Sequence, residues 1–202
     1  MKRTFQTFLK LLLLTSFLSA CVDTTGLSPS SSRGPSPKST PDARVVVWEY
    51  ADLQCPACRA AHEKLTTPLL EAHGKDIRFE FRHFPLRTLH RYALEAAEAA
   101  ECAADQGKFW EFVDLAYEKQ PELSTAALKT WAGELTLDMD LFGRCTASQI
   151  KKDMIMGEFE AGKALGVGGT PTFFVNGTKV EAVMEQLTEA ITAASATGIE
   201  KL

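Results

Sequence analysis

Residues 44–50 are almost all β-branched or aromatic and predict a buried strand. A short loop over 51–54 follows, and then a helical pattern over 57–73. Pro68 predicts a kink in that helix and Gly74 its end. Residues 77–81, Ile-Arg-Phe-Glu-Phe, alternate apolar with charged and predict a second strand. From about 88 to 165 the spacing is helical. An alanine-rich helix is expected over 89–104, and Phe109, Phe112, Val113 and Tyr117 continue the pattern. Further helices are expected over 125–134, 139–146 and 148–165. Residues 172–175, Thr-Phe-Phe-Val, predict a third strand. Asn176-Gly177 is a two-residue hairpin signal, leading to a short strand over 178–180. Val183, Leu187, Ala190, Ile191 and Ala194 form the apolar stripe of a last helix. The order is β-α-β, a helical block, then β-β-α. This predicts an α/β fold: a mixed four-stranded sheet with helices on its faces and a helical insertion between the second and third strands.

The N-terminus adds a different kind of segment. Lys2 and Arg3 precede an apolar stretch that is centred on residues 11–14 and ends in Leu18-Ser19-Ala20, an export-signal pattern. It is too short to span a bilayer, which takes roughly 20 apolar residues. Leu18-Ser19-Ala20-Cys21 resembles the bacterial lipoprotein signal. That resemblance implies a signal peptide over 1–20, cleavage before Cys21 and lipidation of Cys21. Ordinary secretory cleavage after Ala20 is the alternative. Residues 22–41 are rich in Ser and Pro with few groups to bury, and are expected to be a disordered or semi-extended tether. Residues 42–202 are the right length for one domain. The formal net charge of −4 is mild, and no basic stripe suggests a nucleic-acid partner.

Candidate chemistry centres on Cys55-Pro56-Ala57-Cys58, at the strand-to-helix junction. Side chains at i and i+3 on a first turn lie about 5–6 Å apart at Cβ, close enough for a disulfide. A reversible dithiol is therefore expected. The chain has five cysteines, and an odd number in an exported protein needs an explanation. If Cys21 is acylated, Cys55, Cys58, Cys102 and Cys145 remain.

The stretch from Glu49 to Cys58 and the later Gly168-Gly169-Thr170-Pro171-Thr172-Phe173-Phe174-Val175-Asn176-Gly177 together resemble the DsbA-like branch of the thioredoxin superfamily. Arg82-His83-Phe84-Pro85-Leu86 and Gly107-Lys108-Phe109-Trp110 also match stretches common there. The resemblance covers essentially the whole domain. It implies a thioredoxin fold and a cis Thr170–Pro171 bond facing the dithiol, with the backbone of Thr170 pairing with substrate. It also implies that Glu49 is a buried acid beneath the dithiol, able to move a proton to or from Cys58. From the strand pattern alone, Glu49 shares a face with Val45 and Val47, and a solvated strand-edge carboxylate is its alternative.

A thiolate at a helix N-terminus is stabilised, so Cys55 is expected as the exposed, low-pKa nucleophile and Cys58 as the more buried resolving thiol. Strong oxidases of the branch often carry His where this chain has Ala57. Without that donor, the Cys55 pKa is expected in the middle or upper part of the roughly 3.5–7 range of such motifs. In an exported chain, Cys102 and Cys145, 43 positions apart, are expected to form a structural disulfide. Some members of the branch carry a similar extra pair. Two buried free thiols are the alternative.

His62 is expected on the surface, and His83 and His90 near the end of the second strand, lining a groove or solvated. Asp52 and Gln54 flank the dithiol and are expected to tune access to it. Trp48 and Tyr50 are expected to be core packing. A lone CxxC with scattered histidines is a poor zinc site, so neither metal nor cofactor is expected.

Together these readings predict an extracytoplasmic, membrane-anchored thiol–disulfide oxidoreductase of the periplasm or cell surface. Its expected partners are cysteine-containing exported proteins and a membrane redox partner. Net oxidation is the leading direction. A reductase or isomerase kept reduced by a membrane partner is one alternative, and a non-catalytic thioredoxin-fold binding lipoprotein is another.

Overall fold

The computed structural model describes residues 22–197. The expected signal peptide over 1–20 and the expected lipidation site Cys21 lie outside the described residues.

Strand β1 (Val45–Ala51) pairs parallel with β2 (Ile77–His83), as a β-α-β crossover requires. It pairs antiparallel with β3 (Thr172–Val175) on its other side. A hairpin joins β3 to β4 (Thr178–Val180), giving the sheet order β2-β1-β3-β4. Asn176 and Gly177 have φ of 48° and 83°, as the turn between right-twisted strands demands. The Asn176 side chain also accepts the Val46 N–H at 2.7 Å, tying the turn to β1.

Alternation along β1 sends side chains to two cores. Val45 and Val47 pack with Phe79, Phe173, Leu69, Leu187 and Ile191. Leu69 lies on α2 (Thr67–His73), and the last two lie on α8 (Met184–Thr197). Tyr50 faces the opposite side with Phe84, Val167 and Phe174. Phe159 of α7 (Lys152–Ala164) and Trp48 pack against that cluster. Trp48 and Tyr50 are thus packing residues, as expected. Val183, expected on the buried stripe of α8, instead precedes the helix and is exposed.

The insertion holds α3 (Ala93–Ala104), α4 (Phe109–Glu118), α5 (Thr125–Glu134) and α6 (Met139–Ser148) around a third core. Cys102 of α3 is bonded to Cys145 of α6 within it. Two helices start later than the sequence pattern suggested. Residues 88–92 form turns before α3, and α7 begins at Lys152 because Gln149, at φ 53°, ends α6 in a left-handed cap. Among the described residues no helix is long and apolar enough to cross a membrane.

The expected helix over 57–73 comprises α1 (Pro56–Ala61), a π-helical turn (His62–Thr66) and α2. Pro68 has no N–H to give to the preceding turn. The widened turn absorbs that loss, with the Thr67 N–H bonded to the His62 carbonyl.

Residues 22–41 do not form a free tether. The Ser36 and Thr40 N–H groups donate to the carbonyls of Phe79 and Ile77, and Ser39 Oγ accepts the Phe79 N–H. This segment therefore satisfies the open edge of β2. The buried Arg33 guanidinium pairs with Glu101 and Glu158, and Trp110 donates to the Pro35 carbonyl at 3.2 Å. The segment has few apolar groups to bury, as its composition says. Main-chain hydrogen bonds and one buried cation order it instead, and neither leaves a hydropathy signal.

Candidate functional site

Cys55 and Cys58 stand where β1 gives way to α1, at the junction between the sheet and the insertion core. Both are free thiols. Pro56 occupies the first helical position, where a missing N–H costs nothing. Cys55 is the helix N-cap residue, and its carbonyl accepts the Arg59 N–H.

Cys55 was expected to be exposed, but it retains only 6% of its accessible surface, against 0% for Cys58. Cys55 packs in the same apolar cluster as Leu53. The order of exposure holds, while the nucleophile is far more enclosed than a helix-cap position implies. Cys55 Sγ lies 3.5 Å from the Thr170 carbonyl oxygen. The Thr170–Pro171 bond is cis and abuts the dithiol, as the resemblance implied.

The two sulfurs have opposite electrostatics. The Cys58 thiol hydrogen-bonds the Cys55 sulfur and lowers its pKa to about 5. Burial opposes this, while Thr170 and the backbone N–H groups of Cys58 and Ala57 reinforce it. The value falls in the middle of the range for such motifs. Cys58 is driven far above an ordinary thiol, first by burial and then by the hydrogen bond and charge of Cys55.

Glu49 is 1% exposed, so it is no strand-edge carboxylate. Burial raises its pKa to about 7, although the Thr66 hydroxyl donates to Oε2 at 2.9 Å and His62 favours its charge. Its Oε1 is buried with no partner. Tyr117 of α4 is buried close by. Burial, and then the charges of Cys58, Glu49, Asp52 and Cys55, hold its hydroxyl well above the ordinary phenol range. The structure therefore gathers Cys55, Cys58, Thr170 and Pro171 into one site, places Glu49 within electrostatic reach of Tyr117, which also feels both cysteines, and bonds Cys102 to Cys145 in the insertion.

Gln120 escaped the sequence reading, and several residues named there stand differently from expectation. Gln120, buried in the 3-10 turn Gln120–Glu122, donates from Nε2 to the Leu53 carbonyl at 2.9 Å and the Cys55 carbonyl at 3.0 Å. It braces the redox loop across 65 positions, a separation for which local patterning has no signal. Asp52 is buried rather than a flanking access residue, and Gln54 Oε1 accepts the Tyr92 N–H at 2.6 Å. His62, expected on the surface, is half-buried. It pairs with Asp114 at 2.9 Å and lies over the Tyr117 ring, with centroids 4.9 Å apart. His83 is buried against Glu101 at 3.0 Å, and His90 meets Asp52 at 2.8 Å.

The family profile described as thioredoxin matches residues 40–193. The chain is 43% identical over 138 residues to the Na(+)/H(+) antiporter NhaA 3 of Salinispora tropica. The match takes in 68% of this chain and 21% of that protein. The chain thus spans about a fifth of the length of the curated relatives it matches. Among solved structures, a thioredoxin-like oxidoreductase from Silicibacter pomeroyi is 27% identical, with a TM-score of 0.66 over 79% of this chain and 93% of that one. Alpha-DsbA1 of Wolbachia pipientis shares the fold at 23% identity, with a TM-score of 0.70 over 85% of this chain and 99% of that one.

Proposed function

The chain belongs to the thioredoxin family, and on that premise we propose that it is an extracytoplasmic thiol–disulfide oxidoreductase acting on the cysteines of exported proteins. The observation that carries this reading is the sulfur pair itself. An acidic Cys55 sits beside a buried, strongly basic Cys58, both against a cis Thr170–Pro171 segment. Cys55 is the sulfur that exchanges with substrate, and Cys58 closes or opens the internal disulfide. Glu49 supplies or takes the Cys58 proton from beneath.

The low Cys55 pKa supports net oxidation. A stabilised thiolate favours the reduced protein and so makes its disulfide an oxidant. The reduced state gains stability as pH rises from about 5 towards the ordinary thiol range, and loses that gain as pH falls through about 5. Reduction or isomerisation is the second reading, favoured by Ala57, which adds no side-chain donor to the thiolate. The Cys55–Cys58 reduction potential separates the two. A value near about −120 mV supports the oxidase and one near about −270 mV the reductase. The Cys102–Cys145 bridge and the export-signal pattern read in residues 1–20 support an oxidising compartment. Lipidation at Cys21 would anchor the domain, and a membrane redox partner would reset the dithiol.

Thiolate absorbance of the reduced protein is expected to titrate with a midpoint near pH 5. A midpoint near an ordinary thiol would remove the basis for net oxidation.

Glu49→Gln is expected to flatten the pH profile of exchange around pH 7, where the wild-type acid titrates. The buried carboxyl stabilises the fold while neutral. That contribution is complete below the ordinary carboxyl range and is lost as pH rises through about 7. The variant should therefore gain stability relative to wild type across that window, by up to about 3 kcal/mol. Parallel denaturation curves and unchanged exchange would refute the role.

A further inference from the structure

Asp52 lies in the loop between β1 and α1, and its backbone touches both cysteines. Its carbonyl accepts the Cys55 N–H at 3.0 Å, and its N–H donates to Cys58 Sγ at 3.5 Å. Its carboxylate is buried and reaches elsewhere. Oδ1 accepts the Gln54 N–H at 2.8 Å, while Oδ2 accepts the Leu86 N–H at 2.9 Å and meets His90 Nδ1 at 2.8 Å. Leu86 and His90 belong to the loop after β2, where the Leu89 and His90 N–H groups both donate to the Leu86 carbonyl. One buried carboxylate therefore locks the redox loop to a second loop. A buried carboxylate is costly unless its acceptors are filled, so its partners fix how the Asp52 peptide unit is turned.

The geometry points to the Asp52–His90 pair as a positioning element that aims the Asp52 N–H at Cys58 and so stabilises the Cys58 thiolate as it leaves. This rests on the dithiol-exchange reading above. A substrate thiolate attacks Cys55 Sγ of the oxidised protein. A substrate–Cys55 disulfide forms, the Cys55–Cys58 bond breaks, and its electron pair departs on Cys58 Sγ, which then takes a proton. Cys58 is fully buried, so its thiolate has no water to solvate it. Thr170 and then the Asp52 N–H ease that charge, and Asp52 is the backbone donor of the two. Tyr117 also faces this charge, but its hydroxyl has no partner. His90 touches neither sulfur and acts only through Asp52. Its side chain is 18% exposed.

The test is rapid-quench measurement of mixed-disulfide formation between the oxidised full chain and a reduced cysteine peptide. His90→Phe keeps a ring but removes the donor, and is expected to slow this step about tenfold, the size of a hydrogen bond to a charged group. His90→Asn places an amide donor near the Nδ1 position and is expected to restore most of the rate. The Cys55 thiolate midpoint stays near pH 5 in both. A wild-type rate in His90→Phe, equal losses in the two variants, or a matching shift of the Cys55 midpoint would each overturn the inference. Failure of the exchange reading would look different: wild-type protein would form no mixed disulfide at all.

Discussion

Cys58→Ser is expected to trap the protein on its substrates through Cys55, whereas Cys55→Ser captures nothing. In the wild type, Cys58 can release a stalled encounter by attacking the Cys55–substrate bond. A serine hydroxyl cannot do this, so the intermolecular disulfide persists. Cys55 alone has the low pKa that keeps it nucleophilic near neutrality. Cys58, fully buried and driven strongly basic, cannot substitute for it. Turnover should fall by on the order of 10³-fold in either variant, because the two thiols act as one unit. Non-reducing electrophoresis and mass spectrometry of Cys58→Ser mixed with a disulfide-bonded peptide give the readout: the Cys55 thiolate attacks the peptide disulfide, the mixed disulfide forms and one peptide thiol leaves. The absence of an adduct would favour a binding module whose CPAC motif is structural.

Removing the Cys102–Cys145 bridge, by Cys102→Ala together with Cys145→Ala, should cost about 4 kcal/mol in the chain-entropy account of a 43-residue separation. For a domain of this size that is a fall in Tm of about 8–16 °C. The bridge ties α3 to α6 inside the insertion core and makes no bond to Cys55 or Cys58. Exchange by Cys55 should therefore survive at temperatures where the variant stays folded. An unchanged Tm would mean that the insertion packs as well without the link. In unreduced, denatured wild-type protein, iodoacetamide should leave both cysteines unmodified, and labelling of both would contradict the bridge.

The strands and the hairpin were legible because their signals are local. Residues 172–175 and 178–180 match β3 and β4, and Asn176-Gly177 carries its turn chemistry within two residues. The helix over 125–134 was equally plain, with Ser124 accepting the Ala127 N–H as its cap. The beginnings of α3 and α7 were misjudged. Residues 88–92 and 149–151 continue the helical composition, but the folded chain holds them outside the helices. Tyr92, for example, gives its N–H to Gln54 of the redox loop rather than to a preceding helical turn.

The ordering of residues 22–41 and the bracing of the dithiol were not legible for a related reason. Arg33 meets Glu101 and Glu158 across 68 and 125 positions, and Gln120 reaches Cys55 across 65. Single polar side chains at such separations leave no periodicity.

What the sequence by itself determined was the strand order, the location of the dithiol at a helix start and the cysteines available for pairing. Periodicity, turn residues and helix position are short-range physics, written in neighbouring residues. Only the tertiary structure decided how the dithiol is surrounded. It buried Cys55 almost as deeply as Cys58 and removed Glu49 from water. It joined Cys102 to Cys145 and set Asp52 between two loops. Those outcomes depend on desolvation and on partners brought from distant elements, and both exist only once the chain is packed.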